Sequence, residues 1–195
     1  MHATSLIAMT PITLDTPQLR LRPWRADDLA PFAAMNADAE VMRYLPSRLE
    51  RADSDALVER LQAHIERDGW GLWAVERRAD SRFIGFTGLC EVPEVLPCSP
   101  GVEIGWRLAR AAWGQGHATE AAQAALQFGF ERLGLQEVVS FTAVVNQRSQ
   151  AVMHRLGMSR DAANFEHPRL PPGHELREHG AWRLPVERWR ALNGR

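Results

Sequence analysis

Cysteine is scarce in this chain. Two residues, Cys90 and Cys98, cannot support a disulfide-built secreted domain, and their separation fits no common zinc spacing. Both are expected as reduced thiols, one at a strand end and one in a loop. No apolar run approaches the roughly 20 residues that a membrane helix needs. Excess charge is missing too: 23 Lys+Arg against 24 Asp+Glu leave a formal net charge of −1. No global field therefore draws in nucleic acid or an anionic membrane, and any polyanionic ligand has to be captured locally. Internal repeats, low-complexity tracts and linkers are absent. The N-terminus lacks the basic segment and long apolar stretch of a signal peptide. Residues 1–15 are expected to form a flexible leader, or to include an upstream start before Met9. Residues 16–195 are expected to form a single cytoplasmic domain.

What is present is periodic. Gln18–Pro23 alternates apolar and charged residues, as an antiparallel strand with one wet face does. A short helix is expected over Ala26–Met35, with Asp27 and Asp28 placed to favour the positive end of its dipole. A second helix is expected over Ser54–Arg67, ended by Asp68-Gly69. Trp70–Arg77 and Arg82–Glu91 read as a hairpin across a short polar link. Gly101–Ala109 alternates with Val102, Ile104, Trp106 and Leu108 on one face and Glu103, Gly105 and Arg107 on the other. Gly105 in mid-strand suggests a bulge or a close backbone approach. A helix over Ala118–Leu133, an apolar strand over Glu137–Val145 and a helix over Gln147–Leu156 follow. The remainder is Pro- and His-rich, with one closing strand at Ala181–Leu184 and a last helical turn or two over Pro185–Leu192. Strands followed by strand–helix–strand–helix imply an α+β fold, a mixed sheet with helices on both faces.

The most informative segment is Trp113-Gly-Gln-Gly-His-Ala-Thr119, where a strand turns directly into an Ala-rich helix. The first turn of a helix has unpaired N–H groups and partial positive charge. Small residues at Gly114, Gly116 and Ala118 let an anion approach that backbone. His117-Ala118 excludes a phosphate loop that needs Lys-Ser/Thr after its second Gly, and Thr119 argues against a dinucleotide fingerprint. On spacing alone, a phosphate cradle and an ordinary glycine loop remain equal readings.

The segment resembles the Arg/Gln-x-x-Gly-x-Gly/Ala acyl-CoA signature of the GNAT superfamily of acetyltransferases, with Trp113 in place of the first Arg or Gln. Leu19-Arg-Leu-Arg-Pro-Trp24, Val41-Met-Arg-Tyr-Leu45, Glu103-Ile-Gly-Trp106, Asn146-Gln-Arg-Ser149 and Leu156-Gly-Met158 extend the likeness over about Thr16–Leu184. Together they resemble the RimJ/RimL-like branch of ribosomal-protein N-acetyltransferases. The resemblance implies a GNAT fold, a mostly antiparallel sheet with a splayed strand pair. It implies acetyl-CoA as cosubstrate, with Trp106 and Leu108 offering backbone groups to the pantetheine. The backbone of Trp113 and Gly114 through Gln115, Gly116, His117, Ala118 and Thr119 would hold the pyrophosphate, and Asn146 and Ser149 would reach the cofactor arm.

The chemistry so implied is direct attack of a primary amine on a thioester. It needs a base for the amine, a donor for the oxyanion and an acid for the leaving thiolate. Glu103 is the candidate base; its alternative is a structural carboxylate paired with Arg107 or another strand. Ser149 is the candidate acid, since the Tyr that many superfamily members place seven residues after the Asn is Met153 here; a water is the other option. Asn146 and Ser149 also fit plain helix capping. His167, His174 and His179 have no metal-ligand spacing, so no metal is expected, and their loop reads as an acceptor-side wall or as ordinary loop. The seven tryptophans read chiefly as core or wall. The acceptor is a protein N-terminal amine by branch resemblance, or a small amine such as an aminoglycoside, polyamine or amino acid. Glu40, Asp53, Glu166, Glu175 and Glu178 could form an acidic acceptor wall. A non-catalytic acyl-CoA sensor is the rival from another class. Monomer and homodimer stay open.

Overall fold

The computed structural model describes residues 12–194. Eight strands form one sheet in the order β1-β2-β3-β4-β5-β6-β8-β7. In chain order these are β1 (Leu14–Asp15), β2 (Leu19–Arg22), β3 (Leu72–Arg77), β4 (Arg82–Glu91), β5 (Val102–Leu108), β6 (Glu137–Ala143), β7 (Ser159–Glu166) and β8 (Glu178–Pro185). The helices are α1 (Leu29–Ala37), α2 (Arg51–Asp68), α3 (His117–Glu131), α4 (Gln147–Arg155) and α5 (Val186–Asn193). The expected α+β mixed sheet is therefore the observed one.

Every neighbouring pair is antiparallel except β5 and β6. Those two run parallel and are paired only at Glu103↔Val139. One further link, Ser140 Oγ donating to Ile104 O at 2.9 Å, closes the pair at its narrow end. Beyond it the strands part, and the sheet opens into a cleft.

The core lies on both sides of the sheet. Trp73 meets Phe128 of α3 edge-on at 5.5 Å, while Trp24, Phe32 and Phe86 form an aromatic cluster toward α1. α3 is alanine-rich on its buried side, so its backbone packs close to β4, and a Cβ at Gly129 would come within 2.9 Å of Leu89.

Several expectations need correction. Leu14 and Asp15 pair with β2, and Ile12 O accepts from Trp73 Nε1 at 3.0 Å, so residues 12–15 belong to the fold rather than to a leader; residues 1–11 lie outside the described residues. Arg22 does not face water. It is 4% exposed, bonded through Nη1 and Nη2 to Asp28 at 2.7 and 2.9 Å and through Nε to Glu76 at 2.7 Å. A buried guanidinium is tolerable because its fork is matched by carboxylates, and this network ties β2, β3 and the start of α1 together. Gly105 is not a bulge, since the β4–β5 register runs unbroken through Gly88↔Gly105. The register shifts lie elsewhere, between Val75 and Glu76 of β3 and between Arg160 and Asn164 of β7. β7 was expected as irregular chain; it is an exposed edge strand with little alternation, held by its backbone pairing to β8.

Candidate active site

The cleft between the parted strands has a volume of about 930 Å³ and runs from the start of α3 to the loops around Tyr44 and Leu170. At one end the chain leaves β5 through a single 3-10 turn, Arg110–Ala112, and enters α3. Gly116 caps α3 with φ 80°, and Gly114 has φ 73°, backbone that side chains with a Cβ rarely adopt. A Cβ at either position would meet nothing within 4 Å, so the space over the turn is open. The first intrahelical bond runs from Glu120 N to Gly116 O at 3.0 Å. No side chain caps the helix, leaving the amides of His117, Ala118 and Thr119 without an intrahelical acceptor. His117 is buried, and its Nδ1 has no hydrogen-bond partner. Glu120 faces away from the turn, taking bonds from Thr16 and Gln18.

Trp113 closes this end. Its Nε1 donates to Leu108 O at 2.8 Å, and the Arg148 guanidinium lies 4.5 Å from its ring centroid. Arg148 is also 3.8 Å from Glu40 across the cleft. Gln115 is the one residue of the turn that does not line the cleft; its side chain folds back to Ala111 O at 3.0 Å.

Along β5, the carbonyl of Ile104 points to Ser140 and that of Leu108 to Trp113, both away from β4. Backbone groups of alternate strand residues share a side, so the N–H and C=O of Trp106 also face the gap. The backbone groups of Trp106 and Leu108, expected to serve the cofactor, thus lie on the side of the gap, with the Leu108 carbonyl already engaged by Trp113.

Glu103 sits at the narrow end, half-buried, opposite Cys90 of β4. Burial pushes its carboxyl up to about 7, partly offset by a hydrogen bond from the Cys90 thiol. Burial also pushes the Cys90 thiol well up, so it stays protonated. The ion pair with Arg107 does not form. Arg107 donates to Asn36 Oδ1 at 2.7 Å and lies 5.2 Å from the Phe86 centroid, and burial pulls its guanidinium down to about 10. A Cβ at Gly105 would meet only Glu103 Oε1, at 3.9 Å, so Gly105 keeps room beside the carboxylate.

Asn146 caps α4, its Oδ1 accepting from Ser149 N at 3.2 Å while Nδ2 reaches Thr142 Oγ1 at 2.9 Å and Ser149 Oγ at 3.2 Å. The capping role is therefore real, and both side chains still line the cleft. Met153 is buried beside them.

At the far end, His167 and His179 line the cleft and His174 does not; its Nδ1 accepts from Leu176 N at 3.1 Å. Among the described residues no group of three His, Cys, Asp or Glu could hold a metal. The acidic wall is reduced to Glu40, for Glu166 pairs with Arg177 and Glu178 accepts from Asn164. Phe141, Tyr44 and Arg148 line the site without having been singled out as site residues; Tyr44 and Arg148 lie inside the motifs Val41–Leu45 and Asn146–Ser149, whereas Phe141 stands in a plain apolar strand. No helix among the described residues is long and apolar enough to cross a membrane.

The chain matches the acetyltransferase (GNAT) domain family over residues 18–159. It is 30% identical over 167 residues to the FsC-acetyl coenzyme A-N(2)-transacetylase of Aspergillus fumigatus, covering 82% of this chain and 70% of that one. Among solved structures, a GNAT-family acetyltransferase from Bacillus anthracis superposes with a TM-score of 0.76 at 22% identity, over 90% of this chain and 99% of the other. Spermidine N-acetyltransferase from Vibrio cholerae, solved with CoA and spermine, gives 0.70 at 21%, over 89% and 99%. RimL, a ribosomal L7/L12 alpha-N-protein acetyltransferase solved with coenzyme A, gives 0.72 at 15%, over 90% and 99%. At such identities the structures establish the fold and leave the RimJ/RimL-like branch as a resemblance. With most of the chain inside the family match, this protein belongs to the GNAT acetyltransferase family and is an acetyl-CoA-dependent N-acetyltransferase.

Proposed function

We propose that the chain acetylates the primary amine of a peptide or protein N-terminus, in the manner of the RimJ/RimL-like branch, with Glu103 as general base. The observation that carries the chemistry is a half-buried carboxyl with no cation partner among the described residues, set where β5 and β6 part and titrating near 7. Such a group accepts a proton from an ammonium at neutral pH, and its conjugate acid is weak enough to be formed readily. The open turn at Gly114 and Gly116 and the free first-turn amides of α3 fit the pyrophosphate of acetyl-CoA, and the unpaired edge of β5 at Trp106 fits a pantetheine arm.

The amine nitrogen loses its proton toward Glu103, directly or through water, and bonds to the thioester carbon. The C–S bond then breaks, the acyl group stays as an amide, and the thiolate takes a proton to leave as CoA thiol. Trp106 N–H, facing the gap, is the backbone donor placed for the developing oxyanion. Ser149 Oγ, oriented by Asn146 Nδ2, is the hydroxyl placed to protonate the thiolate.

A single amine with an apolar body suits the far end better than a polyamine. Of the residues lining the cleft only Glu40 and Glu103 are carboxylates, and Glu40 already faces Arg148 and Arg43. Acetyl-CoA as cosubstrate and two free cysteines favour a cytoplasmic setting.

The test is CoA thiol release from acetyl-CoA with a panel of peptides, monoamines and polyamines. All 23 basic residues are arginine, so no lysine amine of the enzyme competes with the added acceptor. Glu103→Gln is expected to lower kcat/KM at least about a hundredfold at pH 7.5 while CoA affinity holds. Stabilisation by CoA with no turnover on any acceptor would instead mark a sensor, and undiminished turnover in Glu103→Gln would remove the assigned base.

A further inference from the structure

His167 and His179 come from different segments, the end of β7 and the start of β8, and meet in the far wall of the cleft with ring centroids 4.8 Å apart. Phe141 and Phe165 frame them, Phe141 lying 6.5 Å from each histidine ring and Phe165 5.6 Å from His179. The backbone sets their tautomers. His167 Nδ1 accepts from Arg169 N–H at 3.3 Å, so in the neutral ring the proton is on Nε2. His179 Nδ1 faces Arg177 O at 3.2 Å, an acceptor only, so that ring carries its proton on Nδ1 and leaves Nε2 bare. Burial lowers the proton affinity of both rings, which keeps them neutral. The wall therefore offers one donor, His167 Nε2–H, beside one acceptor, His179 Nε2, on an aromatic surface.

That pattern is complementary to one residue of an extended peptide. Such a residue presents its own N–H and C=O on the same side, which is how paired strands exchange two hydrogen bonds. A polyamine in its ammonium form has donors alone and would leave the His167 N–H unsatisfied. The spacing agrees. Glu103 is in register with Val139 of β6, and His179 with Ala143, four residues further along that strand. At about 3.3 Å per residue this is about 13 Å along the strand, less the reach of the side chains. An amine at Glu103 thus belongs to a chain whose amide groups, two or three residues in, reach the histidines. A free amino acid is too short.

We infer that His167 and His179 are a backbone-reading pair, binding the C=O and N–H of one residue near the third position of a peptide acceptor. This rests on the transferase reading and narrows its acceptor to a peptide of several residues, recognised through main chain rather than charge. Phe141, which lines the cleft, supplies apolar contact to a flanking side chain, and Phe165 backs the His179 ring. Removing one ring nitrogen while keeping the ring's bulk should cost about tenfold, the worth of one hydrogen bond.

The experiment measures kcat/KM of the full chain for a tetrapeptide, for the amide of its first residue alone, and for spermidine. His167→Phe and His179→Phe are each expected to lower tetrapeptide kcat/KM about tenfold through KM. Turnover of the single-residue amide and affinity for CoA should be unchanged. His167→Gln, with an amide nitrogen near the place of Nε2, should recover part of the loss. A tetrapeptide N-methylated at its third residue should be a poor substrate for the wild type and insensitive to His179→Phe. Equal losses on tetrapeptide and single-residue amide would show a merely structural role and overturn the inference. Wild type that turns over small amines but no peptide overturns it too, while leaving the transferase chemistry standing. CoA binding without turnover on any acceptor overturns both.

Discussion

On the proposed reading, the two ends of the cleft recognise their ligands by opposite means. At the Trp113–Thr119 end the chain exposes backbone, with two left-handed glycines and a helix start lacking a side-chain cap, all within seven consecutive residues. At the far end recognition falls to side chains, with Tyr44, Phe141, His167, Leu170 and His179 drawn from loops and strands far apart in sequence. Backbone binding suits a cosubstrate that never changes. A wall of separate side chains can be altered one residue at a time, so one fold can serve many acceptors.

Each end can be broken without the other. The largest effect is expected at the turn. Gly116→Val forces a β-branched residue to φ near 80°, costing about 1–2 kcal/mol of backbone strain, and fills the open space above the amides. CoA affinity by calorimetry should fall about a hundredfold or more; a change below threefold would show that the turn does not hold the cofactor.

Next in size is the pH dependence set by Glu103. Burial pushes its folded carboxyl up to about 7 from an ordinary 4.5, and in the proposed role of base it must be ionised to act. The kcat/KM should drop toward tenfold per pH unit below about 7, while CoA affinity measured over pH 6–8 stays flat. The stability effect has the opposite sign. A raised folded pKa means the native state holds its proton more tightly, so stability is fullest below 4.5 and is lost as pH rises through about 7. Above pH 7, Glu103→Gln should therefore melt higher than wild type; a lower melting temperature there would count against a desolvated carboxylate.

Smaller still, Ser149→Ala should reduce kcat about tenfold with α4 intact, because Asn146 caps through the Ser149 amide and not its hydroxyl. An unchanged kcat would hand the proton to water. The least change is expected from Trp113→Phe. It loses the bond to Leu108 O, worth about 1 kcal/mol, and keeps the aromatic face under Arg148, so melting should shift by a few degrees.

The same contrast explains what could be read from the chain in advance. The cofactor end is contiguous, so glycine spacing at a strand–helix junction was enough to raise it and the family resemblance enough to single it out. Strands β2 to β6 carried alternation or apolar runs because each buries a face against helices. β7 carried neither, since an exposed edge strand is specified by the partner it pairs with. Arg22 looked like a solvent-facing charge because one partner, Glu76, lies 54 residues away, and the other, Asp28, reads locally as an acidic residue at a helix start. The alternative reading of Glu103, a pair with Arg107, failed for a related reason: Arg107 is taken by Asn36, from a helix 71 residues upstream. The two histidines could be noticed as a cluster, but only the β7–β8 register separates His174 from the pair that faces the cleft.

The single Glu103↔Val139 bridge between β5 and β6 has a mechanical consequence. Five strands stand on one side of it and three on the other, and among the described residues the only strand-to-strand hydrogen-bonding between them is that bridge and the Ser140 hydroxyl. A pantetheine laid along β5 would act as a splint across the gap, and its binding would couple the opening of the two halves. Amide exchange at β6 and β8 should then slow together when CoA is added, as a block rather than residue by residue. The cosubstrate would be, for the length of each turnover, a piece of the sheet.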